Sequence, residues 1–410
     1  MPPVAAARPL APTQGRPRRA LWALCLTQIT SWGILYYAFP VLNAQITATT
    51  GWSPRATTGA FSLALVGSAL SGIIVGRVID SRGPRAVMTA GSVLGAVSLT
   101  VIATAPDLTV FFTGWALAGP AMAATFYQPA FAALTRWWAP DHVRALTVVT
   151  LAGGLASTAF APLTATLADR LGWRGTYLAL AVVLAAVTIP AHATALNAPW
   201  PAVTPTGEAH GEASDVARSR PFAMLVTALT LSAFATYAVV VALVPLMVER
   251  GFSLTAAALA LGLGGAGQTL GRLFYALLAR RTGPRLRLAV LIAGGGLTTA
   301  ALAAVPGPYP LVVALSMTTG MIRGNLTLAQ ATAVTERWGA AHYGRLSGLL
   351  GALPTAAGAL APFASTALAG WLGGYPHLFA LLAAVAAVAA LAATRTQPNS
   401  KQSEEGKSPT

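Results

Sequence analysis

The sequence predicts an all-α polytopic membrane protein, with twelve transmembrane helices in two six-helix bundles and both termini in the cytoplasm. Three observations predict this class: little charge, a succession of apolar runs, and an internal repeat. Of the 410 residues, 55% are hydrophobic and only 9% are charged, whereas soluble domains carry about 25% charged residues. A chain with so few charges is suited to a lipid environment.

The apolar runs define the predicted membrane spans. A helix needs about 20 apolar residues to cross the hydrocarbon core of a bilayer. The twelve predicted spans are residues 20–47, 57–79, 84–104, 108–135, 142–168, 175–195, 221–248, 254–278, 285–304, 308–336, 343–370 and 376–393.

The basic residues between the spans predict the orientation. With a cytoplasmic N-terminus, 20 Lys and Arg residues fall on the inner side. Only four fall on the outer side, namely Arg55, Arg170, Arg174 and Arg250. This bias follows the positive-inside rule. The net charge of +15 therefore reflects topology, and we expect no nucleic-acid partner.

The polar segments predict the domain organisation. Residues 1–18 form a disordered cytoplasmic tail, followed by an N-terminal bundle at 19–195. A Pro-rich, acidic interruption at 196–220 is interpreted as a central cytoplasmic linker. The C-terminal bundle covers 221–394, and the polar residues 395–410 form a second disordered tail.

The two halves repeat each other at an offset of 200 or 201 residues. Repeats of equal topology predict two bundles related by an axis along the membrane normal. The matching pairs are Gly83-Pro84-Arg85 with Gly283-Pro284-Arg285, Gly119 with Gly320, Arg136-Trp137 with Arg337-Trp338, Arg144 with Arg345, and Ala161-Pro162 with Ala361-Pro362.

The turn between the second and third spans carries an unusual charge pattern. Asp80 lies beside Arg82 and Arg85, where a carboxylate can form charge-assisted hydrogen bonds. The alternative is a solvated turn that obeys the positive-inside rule, although that rule needs no acid there. The full motif consists of Gly76, Arg77, Asp80, Arg82, Gly83 and Arg85.

On this motif, the twelve spans and the central loop, residues 20–394 resemble the major facilitator superfamily of secondary transporters. The resemblance implies that the motif closes and opens the cytoplasmic side of a cavity between two bundles. The sequence departs from the family pattern at Ser81, where a basic residue is common, and at Arg280, which replaces the acid in the second half. An arginine in the eighth span and the phrase at 36–40 (Tyr-Tyr-Ala-Phe-Pro) resemble the monocarboxylate and oxalate-formate branches.

Two arginines are placed away from the predicted surface. Arg272 lies about 12 Å deeper than Arg280, and Arg323 lies about 21 Å along its helix from Arg337. An arginine at the bilayer centre costs at least about 2.5–3.5 kcal/mol, and all eleven acids fall at predicted surfaces or in loops. A substrate carboxylate would supply the missing charge. Alternatively, Arg272 snorkels to the interface, and Arg323 bonds helix-end carbonyls or Asn325.

Other polar side chains lie near predicted mid-depth. In the resembled family, spans 1, 4, 7 and 10 line the cavity, so several of these groups would orient a ligand. The alternative is hydrogen bonding between helices, worth about 0.6 kcal/mol for each bond. The residues are Trp32, Tyr36, Tyr37, Tyr127, Gln128, Tyr237, Gln268 and Asn325.

These observations predict a monomeric transporter of the bacterial inner membrane that moves a small organic anion, with a monocarboxylate as the first candidate. Its partners would be the lipid bilayer and the substrate. The sequence leaves open whether transport is coupled to a proton or to an exchanged anion; Asp169 and Glu249 are candidate proton carriers. The alternatives are efflux of drugs or toxic compounds, and a sensor that kept the fold without transport. One Cys, five scattered His and the lack of a P-loop predict no enzyme activity, cofactor or metal.

Overall fold

The computed structural model describes residues 17–138, 142–200, 215–338 and 343–396. Over these residues the regular structure is helical, without strands. The helices of the first half are α1 (Arg18–Trp32), a π-helical segment (Gly33–Tyr37), α2 (Ala38–Thr50), α3 (Pro54–Arg82), α4 (Pro84–Thr104), α5 (Leu108–Thr125), α6 (Tyr127–Trp137), α7 (His142–Gly154) and α8 (Ala156–Ala195).

The helices of the second half follow the same order. They are α9 (Arg220–Glu249), α10 (Leu254–Leu273), α11 (Tyr275–Arg281), α12 (Pro284–Ala304), α13 (Tyr309–Thr332), α14 (Thr335–Trp338), α15 (Tyr343–Leu372) and α16 (Tyr375–Ala393).

Nine helical stretches within the described residues are long and apolar enough to cross a membrane. One of them, Arg144–Ala195, has 52 residues and would measure about 78 Å if straight. It is interrupted at Gly172, whose φ of 65° and ψ of 173° lie outside the helical region. The chain is therefore a multi-pass membrane protein.

The internal repeat is visible in the helix boundaries. α4 and α12 begin and end at positions 200 residues apart, each after a Gly and with Pro as its first residue. The Ser53 hydroxyl accepts a hydrogen bond from the Ala56 amide, and the equivalent Ser253 hydroxyl accepts one from the Ala256 amide, each at 3.2 Å. The same capping interaction thus starts the same helix in both halves.

The two halves are joined at one end of the molecule. A single apolar cluster there includes Phe39 and Trp115 from the first half and Leu246 and Phe379 from the second. At the other end, which carries the Arg-rich turns and which we call the basic end, the apolar residues form two separate clusters, one in each half. Between the halves, α3 packs on α15 and α8 packs on α10.

Two of the four arginines assigned to the outer side cap helices. Arg174 donates to the carbonyls of Ala103 and Ala105, both at 2.8 Å. Arg250 donates to the equivalent carbonyls of the second half, at Ala303 (2.7 Å) and Val305 (2.8 Å). Both arginines donate hydrogen bonds to carbonyls at a helix C-terminus, because the last carbonyls of a helix have no partner within that helix.

The basic end of the second half contains a partly buried ion pair. Arg287, only 3% exposed, pairs with Glu336. Arg337 beside it donates to the carbonyls of Pro284 and Thr396, each at 3.2 Å, and burial lowers the pKa of Arg337 to about 10. Arg287 and Thr396 are buried, although Thr396 falls in the segment 395–410 that was predicted to be a disordered tail.

The charged turn of the first half is partly described. Arg77, Arg82 and Arg85 are exposed, and the backbone of Gly83 adopts a φ of 79°. The side chain of Asp80 lies outside the described part of the structure, so its gating role stays a prediction. The start of the predicted linker contacts this turn, because the Trp200 side chain packs against Gly83. Residues 1–16, 201–214 and 397–410, which hold most of the predicted tails and linker, also lie outside it.

Helices α10 and α13 approach each other through glycines. A Cβ atom added at Gly320 would overlap the Gly264 carbonyl oxygen, and one at Gly324 would overlap the Gln268 carbonyl oxygen. Gly67 and Gly119 make the equivalent, looser approach in the first half. Small residues of this kind let membrane helices pack backbone against backbone.

We expect Gly320→Ala to destabilise the protein by about 1–3 kcal/mol, because the added methyl group forces α10 and α13 apart. Melting of the detergent-purified protein measures the loss. Gly351→Ala is the matched control, since an added Cβ there meets nothing within 4 Å. Equal melting temperatures for the two variants would show that the close approach of α10 and α13 is unimportant for stability.

Candidate substrate cavity

The π-helical segment of the first span positions its aromatic side chains. Pro40 lacks the N–H that would bond the Tyr36 carbonyl four residues earlier, and the preceding turn winds as a π-helix in which the Ala38 amide bonds the Gly33 carbonyl. A Cβ at Gly33 would overlap the Phe160 ring. The widened turn and this close contact hold Tyr36 towards the other half, where its ring centroid lies 6.4 Å from that of Tyr237.

The fourth span breaks at Phe126, whose φ of −79° and ψ of −160° are extended. Pro129 has no N–H to offer the Thr125 carbonyl. The side-chain amide of Gln28 replaces it, donating to the Thr125 carbonyl at 2.7 Å and to the Phe126 carbonyl at 3.3 Å. The break starts a new helix at Tyr127, so that its ring packs 5.2 Å from that of Trp32.

The space between the halves has two lobes of about 230 Å³ each. We call the first the arginine lobe, because both Arg272 and Arg323 line it. The second, the apolar lobe, lies between α3, α5 and α15. The lobes share a wall formed by Trp32, Tyr36, Tyr127, Ala233, Tyr237 and Gln330.

The arginine lobe is positively charged. Arg323 donates to the Gln268 side-chain oxygen at 2.6 Å, and Arg272, only 7% exposed, donates to the Thr150 carbonyl. The Nε atoms of both arginines are buried and have no hydrogen-bond partner among the described residues. Among the described residues, no Asp or Glu lines either lobe. The lobe therefore holds two cations and can accept an anion.

The structure brings most of the predicted site residues together. Arg272 bonds a carbonyl of the opposite half, and Arg323 bonds Gln268 rather than Asn325. Asn325 lines neither lobe and donates to the Met321 carbonyl of its own helix. The predicted residues that line the arginine lobe are Trp32, Tyr36, Tyr37, Tyr127, Tyr237, Gln268, Arg272 and Arg323; Gln128 lines only the apolar lobe.

The two acids considered as proton carriers lie at the joined end, away from the arginine lobe. Asp169 accepts a hydrogen bond from the Thr255 hydroxyl at 3.2 Å. Glu249 accepts one from the Tyr375 amide at 2.9 Å. Both carboxylates therefore have structural partners.

Sequence reasoning missed Gln330, which lines both lobes. A signal for it was available, because Gln330 follows Arg323 by seven residues, and residues seven apart share one face of a helix. Ser232 and Thr236 on α9 also line the arginine lobe. They gave no comparable signal, since hydroxyl residues are frequent throughout this chain.

The membrane-spanning helices and the cavity between the two halves are those expected of a transporter. A sequence model of the Major Facilitator Superfamily matches residues 22–362, and the chain belongs to this family.

Curated relatives include monocarboxylate transporter 13 of Rattus norvegicus, 26% identical over 77% of this chain and 72% of that protein. The protein of the same name from Bos taurus is 29% identical over 74% and 70%.

Solved structures share the fold. The nucleoside transporter NupG superposes with a TM-score of 0.71 at 15% identity, over 93% of this chain and 99% of that one. An inward-facing, unoccupied bacterial homologue of the human lysosomal transporter Spinster also has a TM-score of 0.71, at 14% identity, over 94% and 95%. At these identities the likeness shows the fold alone.

We expect Gln28→Met to destabilise the protein by about 1–3 kcal/mol, because it leaves the Thr125 carbonyl buried without a donor. In a Pro129→Ala background the restored N–H of residue 129 can bond the Thr125 carbonyl. Gln28→Met should therefore lower the stability markedly less in that background. Melting of the four proteins forms a double-mutant cycle. Additive losses would mean that Gln28 does not compensate for the proline.

Proposed function

We propose that this member of the family carries a small organic anion, with a monocarboxylate as the first candidate, across a bacterial inner membrane. The observation that carries the proposal is the arginine lobe, where Arg272 and Arg323 line one cavity without an acidic neighbour among the described lining residues. A guanidinium group binds a carboxylate with two parallel hydrogen bonds. The names of the mammalian relatives, monocarboxylate transporter 13, support the same substrate class.

The proposed mechanism is alternating access. The halves share one apolar cluster at the joined end and have separate clusters at the basic end, as expected if they rock against each other around the cavity. We also propose twelve spans with both termini in the cytoplasm. The nine candidate stretches account for ten of the predicted spans, because one stretch contains two of them. The first and eighth predicted spans are not among the nine, but both are helical over most of their length.

A second candidate function is efflux of an amphipathic compound. The apolar lobe favours it, because its lining is dominated by aromatic and aliphatic side chains. Flux measurements in proteoliposomes separate the possibilities: movement of a labelled carboxylate supports the first proposal, and movement of an uncharged dye supports efflux. Binding without flux would indicate a sensor.

We expect Arg272→Gln and Arg323→Gln each to lower kcat/KM for labelled pyruvate at least about tenfold, since a charged hydrogen bond contributes about 1.5–3 kcal/mol. Glutamine keeps a polar group but removes the charge. Arg281→Gln, at an exposed position of α11, is the control and should transport normally. Uptake at the wild-type rate in both cavity variants, with normal expression, would contradict carboxylate recognition by this pair.

A further inference from the structure

The two lobes differ in chemistry although they share one wall. The arginine lobe presents two charged side chains, whereas most residues that line only the apolar lobe are apolar and none is charged among those described. A single ligand that filled both lobes would need an anionic end and an apolar end. The apolar side chains include Leu65, Ala69, Met122, Ala123, Phe126 and Pro354, and the lobe also contains the polar side chains of Ser68, Gln128 and Thr355.

The size of the apolar lobe indicates what it can hold. An apolar protein cavity of about 150 Å³ is large enough to bind benzene, and this lobe has about 230 Å³. A carboxylic acid of two or three carbons that binds at the arginines would leave the apolar lobe unfilled. A phenyl ring or a branched chain of similar size would fit into it.

The shared wall provides hydrogen-bond donors where the lobes meet. The Trp32 Nε1 and Tyr36 Oη atoms are buried, and within the described part of the chain neither has a hydrogen-bond partner. Trp32 also stacks on Phe126, with ring centroids 4.0 Å apart, so its ring face extends the wall of the apolar lobe. An oxygen atom next to the carboxylate could accept a hydrogen bond from either donor.

We propose that the substrate is an amphipathic carboxylate, an inference that rests on the proposed function and narrows its substrate class. The carboxylate binds at Arg272 and Arg323, and a ring or bulky chain occupies the apolar lobe. Such a molecule unites the two candidate functions, because a carboxylate explains the arginines and an apolar tail explains the other lobe. Short acids are then poor substrates.

Phenylpyruvate and pyruvate form the matched pair of probes. Both carry the same 2-oxo carboxylate and are ionised at neutral pH, and they differ only in the phenyl ring. We expect proteoliposomes with the wild-type protein to take up phenylpyruvate with a KM at least about tenfold lower, since filling a hydrophobic pocket discriminates by about 10-fold or more. Phenylacetone, which lacks the carboxylate, should not compete.

Filling the apolar lobe tests the location of the ring. Ala69→Phe and Thr355→Phe place a ring in the lobe from opposite halves, and each should lower the ratio of phenylpyruvate to pyruvate uptake about tenfold. Leu70→Phe is the matched control, because Leu70 is 66% exposed on the outer face of the same helix. It should leave the ratio unchanged.

The outcomes separate the two proposals. Equal KM values for the two acids, or filling variants that leave the ratio at its wild-type value, would overturn the amphipathic substrate and leave carboxylate transport standing. Uptake of neither acid, or competition by phenylacetone as strong as that by phenylpyruvate, would overturn the proposed function itself. The comparison of KM values for the wild-type protein tests the amphipathic substrate even if a filling variant fails to fold.

Discussion

The close approach of α10 and α13 is the contact on which the arginine lobe depends. In lipid, helices gain little from burying apolar surface, so they associate through close packing and polar contacts. Gly264, Gly320 and Gly324 remove the side chains that would keep these helices apart. The backbones then lie near enough for Arg323 on α13 to reach Gln268 on α10 at 2.6 Å. The absence of a side chain on these glycines thus determines where the Arg323 guanidinium group lies.

A second constraint is that backbone polar groups in a membrane must find partners within the protein. The proline that breaks the fourth span leaves a carbonyl that Gln28 satisfies, and Arg174 and Arg250 satisfy carbonyls at helix ends. These polar side chains are therefore committed to structure. Arg272 and Arg323 differ from them, because both line the arginine lobe, and their buried Nε atoms have no hydrogen-bond partner among the described residues.

The two halves differ in the charged residues at the basic end. The first half has the charged turn containing Asp80, with Trp200 packed on Gly83. The second half has Arg280 at the position equivalent to Asp80, and it contains an ion pair between Arg287 and Glu336. A pair across two helices can stabilise the same end of a bundle, so the repeat is conserved in shape while its chemistry is not.

The sequence by itself determined the class, the doubling and the identity of the two deep arginines. Apolar run length, charge bias and motif spacing are local properties, and a bilayer imposes them directly on the chain. Only the tertiary structure decided which polar groups meet across helices. Gln28 and Gln268 look alike in sequence, yet one bonds a broken backbone and the other holds Arg323. Asn325 lies two residues from Arg323 but faces away from the cavity lining, because helix rotation is set by packing against neighbours.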